Sequence, residues 1–315
     1  MPPAAHRIAV LVPCHNEALT VAKVVADFRA ALPDAAIHVF DNDSSDDTAS
    51  IATRSGAHVH HVALRGKGHV VRRMFADVEA DIYVLVDGDD TYDAPSAPML
   101  AGMLASGECD MVVAVRDATD AAAYRRGHAF GNRLLTGFLA RLFGRNCRDV
   151  LSGYRAFSRR FVKSFPVFSS GFEIEIELSV HAFEMSMPVG EAVTPYKERP
   201  QGSASKLKTY RDGTRIAFTI LRLFSIERPM AFYGGIAVLL ALISIMLAVP
   251  IFQTYFETGL VPRVPTAILS TGLMLLSALS FFAGLILATV TRGRQELKAL
   301  AYLQQRAPAQ RDEPR

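Results

Sequence analysis

Cysteine is scarce in this 315-residue sequence: Cys14, Cys109 and Cys147 stand far apart, with no CxxC pair. That count and spacing exclude a disulfide framework and a cysteine-based zinc site, and leave reduced, buried thiols as the expectation. An excess of one charge is missing too. The net charge is +3, so no protein-wide field calls for nucleic acid, and any basic function has to be local. There is no GxGxxG and no GxxxxGK[ST], which removes the fingerprints of dinucleotide and P-loop sites. The opening stretch MPPAAHRIAVLVPCHNE lacks the long apolar core and the small-residue cleavage site of a signal peptide. The bulk of the chain is therefore expected on the cytoplasmic side. What the sequence has in quantity is apolar residues, 50% against 21% charged, which excludes a disordered chain and a collagen-like repeat.

The apolar residues are not evenly spread. Pro229 to Phe256 contains no charged residue, and neither does Val264 to Thr291. Each run exceeds the ~20 residues a helix needs to cross ~30 Å of hydrocarbon. Glu257, Gly259, Pro262 and Arg263 lie between them, so a transmembrane helical hairpin is predicted over 229–291. Lys206, Lys208, Arg211, Arg215, Arg222 and Arg228 precede the first run, and Arg292, Arg294, Lys298 and Arg306 follow the second. The connection carries one arginine, so both flanks are expected in the cytoplasm, on an inner or plasma membrane crossed twice. Residues 207–228 set Ile216, Ile220, Leu223 and Phe224 against Lys208, Arg211, Arg215 and Arg222, which predicts an amphipathic juxtamembrane helix at the lipid surface. Residues 292–315 are expected as a cytoplasmic tail. Phe130 to Gly144, with Leu134, Phe138 and Leu142 at helical spacing, reads either as a lipid-facing helix or as one packed on a core.

Ahead of these runs, short apolar stretches alternate with amphipathic ones. Strands are expected at Ile8–Val12, Ile37–Phe40, His58–Ala63, Ile82–Val86 and Met111–Val115, and helices at Ala18–Leu32, Asp46–Ser55, Lys67–Glu79 and Pro95–Ala105. The alternation predicts an α/β domain over residues 1–206, with a mostly parallel sheet covered on both faces. Ligands of such sheets bind beyond the carboxyl ends of the strands. Polar clusters stand at four of those ends: Pro13-Cys14-His15-Asn16-Glu17, Asp41 to Asp47, Arg65 to Gly68, and Asp87 to Asp93.

The run VLVDGDDTYD is the most informative. Asp87 and Asp89 follow a buried strand, with Gly88 between them to let the backbone turn. Carboxylates this close repel each other, and a hard divalent cation shared with a diphosphate offsets that repulsion. Mg²⁺ takes one or two carboxylates and fills its shell with water and phosphate, and Mn²⁺ accepts the same oxygen donors. Gly66-Lys67-Gly68, opening a helix, reads as a phosphate contact through its backbone N–H groups and Lys67. On a strand His58 and His60 share one face and His61 takes the other, and they read as surface or satisfied histidines.

With these residues in place, the sequence resembles the family 2 glycosyltransferases, and more narrowly the polyprenol- or dolichol-phosphate sugar transferases. The resemblance runs from Ile8 to about Leu207 and extends to the hairpin. It rests on Pro13 to Glu17; on Asp41 to Thr48, matching DDGSxDxT except at its second and third places; on Asp87-Gly88-Asp89; on Asp149 to Arg155, matching D-x-x-S-G-[FY]-R; on Ser170 to Glu175; and on Arg199 to Leu207, with its G-x-S-K-L core. Thr91 stands where dolichol-type members often carry Gln. The resemblance implies a GT-A (Rossmann-like) nucleotide-sugar-binding domain and inverting transfer from a UDP- or GDP-sugar to a polyprenyl phosphate, with Mg²⁺ or Mn²⁺ on Asp87 and Asp89. It implies donor contacts from Pro13, Asn16, Glu17, Asp41, Asn42, Lys67 and Asp87. The catalytic set is Asp89 with Arg116, Arg126 and Arg199; Ser152 and Lys206 join the three arginines at the acceptor phosphate.

The chemistry agrees with that set. A phosphate monoester is already anionic near neutral pH, so two anions have to be held together and no strong base is needed. The absence of tryptophan weighs against a processive polysaccharide synthase, whose Q-x-x-R-W motif needs one. A family member acting on another lipid or glycan acceptor, and an inactive lipid-binding scaffold, stay open as alternatives, as does a homo-oligomer. No nucleic acid partner is expected.

Overall fold

The computed structural model of the chain describes residues 6–117, 126–144, 147–171, 173–200, 218 and 221–306. They fall into two compact units, Met1–Ile216 with Leu297–Arg315, and Ala217–Glu296.

In the first unit, β1 (Ile8–Cys14), β2 (Ala36–Asp41), β3 (His58–His61), β4 (Ile82–Leu85) and β5 (Met111–Arg116) alternate with α1 (Val21–Ala31), α2 (Thr48–Arg54), α3 (Lys67–Asp77) and α4 (Ala97–Ala105). Then come α5 (Arg126–Phe143), β6 (Arg155–Ser158), α6 (Arg159–Ser164), α7 (Ile174–Glu184) and β7 (Val189–Thr194). The sheet order is β3-β2-β1-β4-β6-β5-β7. β1, β2, β3 and β4 run parallel, as do β5 and β7, while β6 is antiparallel to both β4 and β5. The sheet is thus mixed at its centre.

The strands read as unbroken apolar runs because both faces are covered. Val10, Leu11, Val12, Ile82, Val84, Val112 and Val113 are all fully buried. α1 presents Val21, Val24, Val25 and Phe28 to this core, each contributing about 1.5–3 kcal/mol by leaving water. β1 is flanked by β2 on one side and β4 on the other, so the strand order reverses there and opens a crevice at the carboxyl ends of β1 and β4.

The second unit holds two helices long and apolar enough to cross a membrane, α8 (Pro229–Thr258) and the greater part of α9 (Val264–Leu303). The hairpin is stitched through small residues. Ser244 donates to the Ser270 carbonyl at 2.7 Å, Ser277 to that of Ala237 at 2.7 Å, and Ser280 to that of Tyr233 at 3.0 Å. Gly284 sits so close to the partner helix that a Cβ would lie 3.1 Å from that of Tyr233. Without a hydrophobic drive between helices in lipid, such close approach and hydroxyl bonding are what hold a pair together. α9 continues past Thr291 to Leu303, so the expected tail begins as helix. Its last turns belong to the first unit, where Lys298 meets the buried Glu184 at 2.6 Å and Tyr302 donates to Asp110 at 2.7 Å. Most of the amphipathic segment 207–228 lies outside the described residues; 221–227 are helical.

Candidate active site

The crevice between β1 and β4 contains a cavity of about 210 Å³, with Pro13, Glu17, Asn42, Lys67, Asp87, Asp89 and Arg199 in its walls. Asp87 and Asp89 project from the turn after β4. Lys67 Nζ lies 2.6 Å from Asp87 Oδ1 and 2.7 Å from Glu175 Oε1, and its side chain is 8% exposed. Burial alone would lower the Lys67 ammonium, but the two carboxylates outweigh it and hold it above its ordinary value. Asp89 accepts from the Thr91 hydroxyl at 2.7 Å through Oδ1, and its Oδ2 lies 2.6 Å from an Arg199 nitrogen. Burial and the neighbouring Asp87 raise its pKa, and Arg199 and Thr91 only partly oppose them.

The donor set tests the fit of a metal. Asp87 and Asp89 stand two residues apart in one turn, and burial, with the Asp87 charge adding to it, raises the Asp89 pKa although a guanidinium touches it. The donors are hard carboxylate oxygens beside an open cavity, which suits Mg²⁺ or Mn²⁺ with water and phosphate completing the shell. Among the described residues no group of three or more His, Cys, Asp and Glu converges into a closed cage. Thr91 spends its hydroxyl on Asp89.

Three close approaches fix the acid pair. A Cβ on Gly88 would lie 2.5 Å from Cys14 Sγ, and one on Gly153 would lie 2.3 Å from Asp87 Oδ2. Thr20 donates to the Gly88 carbonyl at 2.6 Å. The segment around Gly153 is itself framed from within. The Ser152 hydroxyl donates to the Ala114 carbonyl at 2.7 Å, and the fully buried Arg155 donates to Ser152 O and Ser179 Oγ, both at 2.9 Å. The Gly153 N–H donates to Tyr92 Oη at 2.8 Å.

Several of the expected site residues have partners within the fold. Ser152 is fully buried with its hydroxyl on Ala114, so it frames the acid pair. The Asn42 amide accepts from Gly66 N at 2.7 Å and donates to Val62 O and Leu64 O. It braces the β3–α3 loop from the cavity wall. Asn16 does the same between loops, accepting from Ser45 N at 2.8 Å while its own N–H donates to Ser44 Oγ. Gly68 N–H donates to Ser170 O, and Cβ atoms on Gly66 and Gly68 would lie 2.1 and 1.9 Å from the Ser170 and Ser169 carbonyl oxygens. The glycines there admit a neighbouring backbone.

Asp41 ends β2 buried, one oxygen 3.4 Å from His61 Nδ1 and the other without a hydrogen-bond partner among the described residues. Pro13 and Glu17 stay in the wall. Arg116 pairs with the buried Asp149 through Nε and Nη2, at 2.7 and 2.8 Å, and lies over the Tyr196 ring. Arg126 opens α5; Lys206 lies outside the described residues. Glu175, Gly153 and Arg155 were missed as site residues. The sole sequence signal for them was the pair of motifs in which they sit.

Comparison with known proteins settles the family. A family model described as glycosyl transferase family 2 matches residues 9–165. Glycosyltransferase AglJ of Haloferax volcanii is 34% identical over 236 residues, 74% of this chain and 77% of the relative. The chain belongs to glycosyltransferase family 2. Dolichyl-phosphate hexose transferase of the same organism is 26% identical over 222 residues, covering 70% of this glycosyltransferase and 95% of the relative. Among solved structures, glucosyl-3-phosphoglycerate synthase of Mycobacterium tuberculosis superposes with a TM-score of 0.56 at 27% identity, over 70% of this chain and 81% of that one. A further crystal structure of that synthase holds Mn²⁺, UDP-glucose and phosphoglyceric acid, with a TM-score of 0.56 and 26% identity over 70% and 80% of the chains. The family match ends at residue 165. Glu175 and Arg199, which complete the charge pattern of this glycosyltransferase's crevice, lie beyond it.

Proposed function

We propose that this glycosyltransferase moves a sugar from a UDP- or GDP-sugar to a polyprenyl phosphate, with inversion, at the cytoplasmic face of a membrane that α8 and α9 cross. The observation carrying the reading is the acid pair Asp87/Asp89, set in the β1–β4 crevice with Lys67 and Arg199 as its counter-charges. The two apolar helices and the resemblance to a dolichyl-phosphate hexose transferase support a lipid acceptor. Residues 1–206 form the transferase domain of this proposal, 207–228 its surface helix, 229–291 the membrane hairpin and 292–315 the cytoplasmic end.

Asp87 and Asp89 would hold Mg²⁺ or Mn²⁺. When bound, the ion supplies positive charge to the departing nucleoside diphosphate. The chain's own residues do the rest. Lys67 fixes Asp87 in place through its ion pair. Pro13 and Glu17 wall the donor cavity, and Asp41 stands behind it on β2. Arg116, Arg126, Arg199 and Lys206 are the cations proposed to draw the acceptor phosphate in, which is the stabilisation two converging anions need.

The test is direct. Membranes carrying the protein, given Mg²⁺ or Mn²⁺, polyprenyl phosphate and a panel of radiolabelled UDP- and GDP-sugars, are expected to yield a labelled lipid, and Asp89→Ala abolishes it with expression intact. No lipid label with any donor, or label moving to phosphoglyceric acid in a parallel arm, would overturn the proposal.

A further inference from the structure

The two cations on the acid pair are not equivalent. Lys67 is 8% exposed and bridges two carboxylates, so it stays. Arg199 is 31% exposed and holds Asp89 Oδ2, and both residues line the cavity. Its backbone is tethered two residues earlier. Lys197 N–H donates to the Thr91 carbonyl at 2.8 Å, and the Tyr196 ring packs against Tyr92 with centroids 5.3 Å apart. Arg199 can therefore reorient its side chain while its backbone stays at the mouth of the crevice.

We infer that Arg199 is an exchangeable counter-ion: it occupies Asp89 until a divalent cation arrives with the donor, then yields that oxygen and turns its guanidinium to the acceptor phosphate. The inference rests on the reading of Asp87 and Asp89 as the cation's ligands, and adds an order of binding to it. A guanidinium and a divalent cation cannot share Asp89 Oδ2 at close range without like-charge repulsion. Once released, the guanidinium presents a planar fork suited to two phosphate oxygens. Donor and cation thus create the acceptor site, and the acceptor phosphate has no competent partner in Arg199 before they bind. By linkage, the acceptor phosphate in turn strengthens cation binding.

A direct readout is Mn²⁺ affinity without turnover. The full chain in detergent is titrated with Mn²⁺, and free ion is followed by electron paramagnetic resonance, for wild type, Arg199→Gln and Asp89→Asn. Arg199→Gln is expected to bind Mn²⁺ about threefold more tightly or better, since a partly exposed ion pair no longer competes, and Asp89→Asn at least tenfold more weakly. Thermal unfolding of each variant shows that it is folded. A second arm measures association with phosphatidylcholine vesicles containing polyprenyl phosphate. Mn²⁺ with UDP or GDP is expected to raise it for wild type and leave Arg199→Gln unchanged. Weakening by Asp89→Asn together with unchanged or weaker Mn²⁺ binding in Arg199→Gln overturns this inference alone, as does an equal vesicle response in both proteins. Mn²⁺ binding indifferent to Asp89→Asn overturns the underlying reading, and this inference with it.

Discussion

Lys67 and Glu175 are 108 residues apart in sequence, yet Lys67 Nζ lies 2.7 Å from Glu175 Oε1 and 2.6 Å from Asp87 Oδ1. One buried ammonium therefore ties the first turn of α7 to the turn after β4. The acid that faces the cavity is oriented from behind by an acid the cavity walls do not include.

Lys67→Met is the severest test of that tie. It leaves Glu175, 9% exposed, without the ammonium that bridges it to Asp87, and breaking a buried pair on one side costs about 3–5 kcal/mol. Adding Glu175→Gln removes the stranded charge and is expected to restore a large part of the loss. Chemical unfolding of the two variants decides it: a double variant no more stable than Lys67→Met would show that the three groups do not act as one unit.

Gly153→Ala is expected to separate geometry from stability. Its Cβ would lie 2.3 Å from Asp87 Oδ2 and 2.9 Å from Cγ, and a carboxyl at the end of a side chain can move away. The fold survives, with a modest shift in unfolding temperature. The displaced Asp87 costs about 10²-fold in transfer rate, the scale of a 1 Å misplacement. Activity near that of the wild type would mean that Asp87's position is not critical.

The same residues show how far the sequence could be read. The alternation from β1 to β5 was legible because strands buried on both faces are continuous apolar runs, and α1 keeps its helical period through Val21, Val24, Val25 and Phe28. β6 was not. It is four residues long and begins with Arg155, a charge that looks exposed in sequence and is fully buried in the fold. The acid pair was legible because i, i+2 carboxylates after a strand carry their own chemistry. Its supports were not, because Lys67–Glu175 and Gly153–Asp87 are long-range contacts. Asn42 marks a further limit: the resemblance placed it at the site, but only the fold shows its amide bonded to three backbone groups.

Glycines at two positions should respond oppositely. Gly68→Ala puts a Cβ 1.9 Å from a backbone carbonyl, that of Ser169, which cannot swing aside as a side chain can. The 169–170 backbone must move, and overpacking of this kind costs about 1–3 kcal/mol or more. Gly102, within α4, has open space where a Cβ would stand, with nothing within 4 Å, so Gly102→Ala is expected to stabilise by about 0.5–1 kcal/mol through helix propensity. Thermal unfolding of both variants checks the pair; equal effects would contradict the close approach at Gly68.

Acid sensitivity should trace in part to His181. The ring is 1% exposed on α7, packed against Phe161 and Phe165, and shares a hydrogen bond with Ser164 Oγ at 3.1 Å. Burial, with the Lys298 ammonium adding to it, pushes its pKa down to about 3. The unfolded chain takes up a proton near the ordinary imidazole value of about 6.5, while the folded chain stays neutral. The unfolded state thus binds more protons as pH falls, and stability that is full above about 6.5 is lost progressively toward 3, on the order of 1 kcal/mol per pH unit. Against His181→Gln, which cannot take up that proton in either state, the wild type is expected to lose ground steadily between pH 6.5 and 4, because the carboxylate contributions cancel in the difference. Paired unfolding curves across that range would refute the assignment if the difference stayed flat.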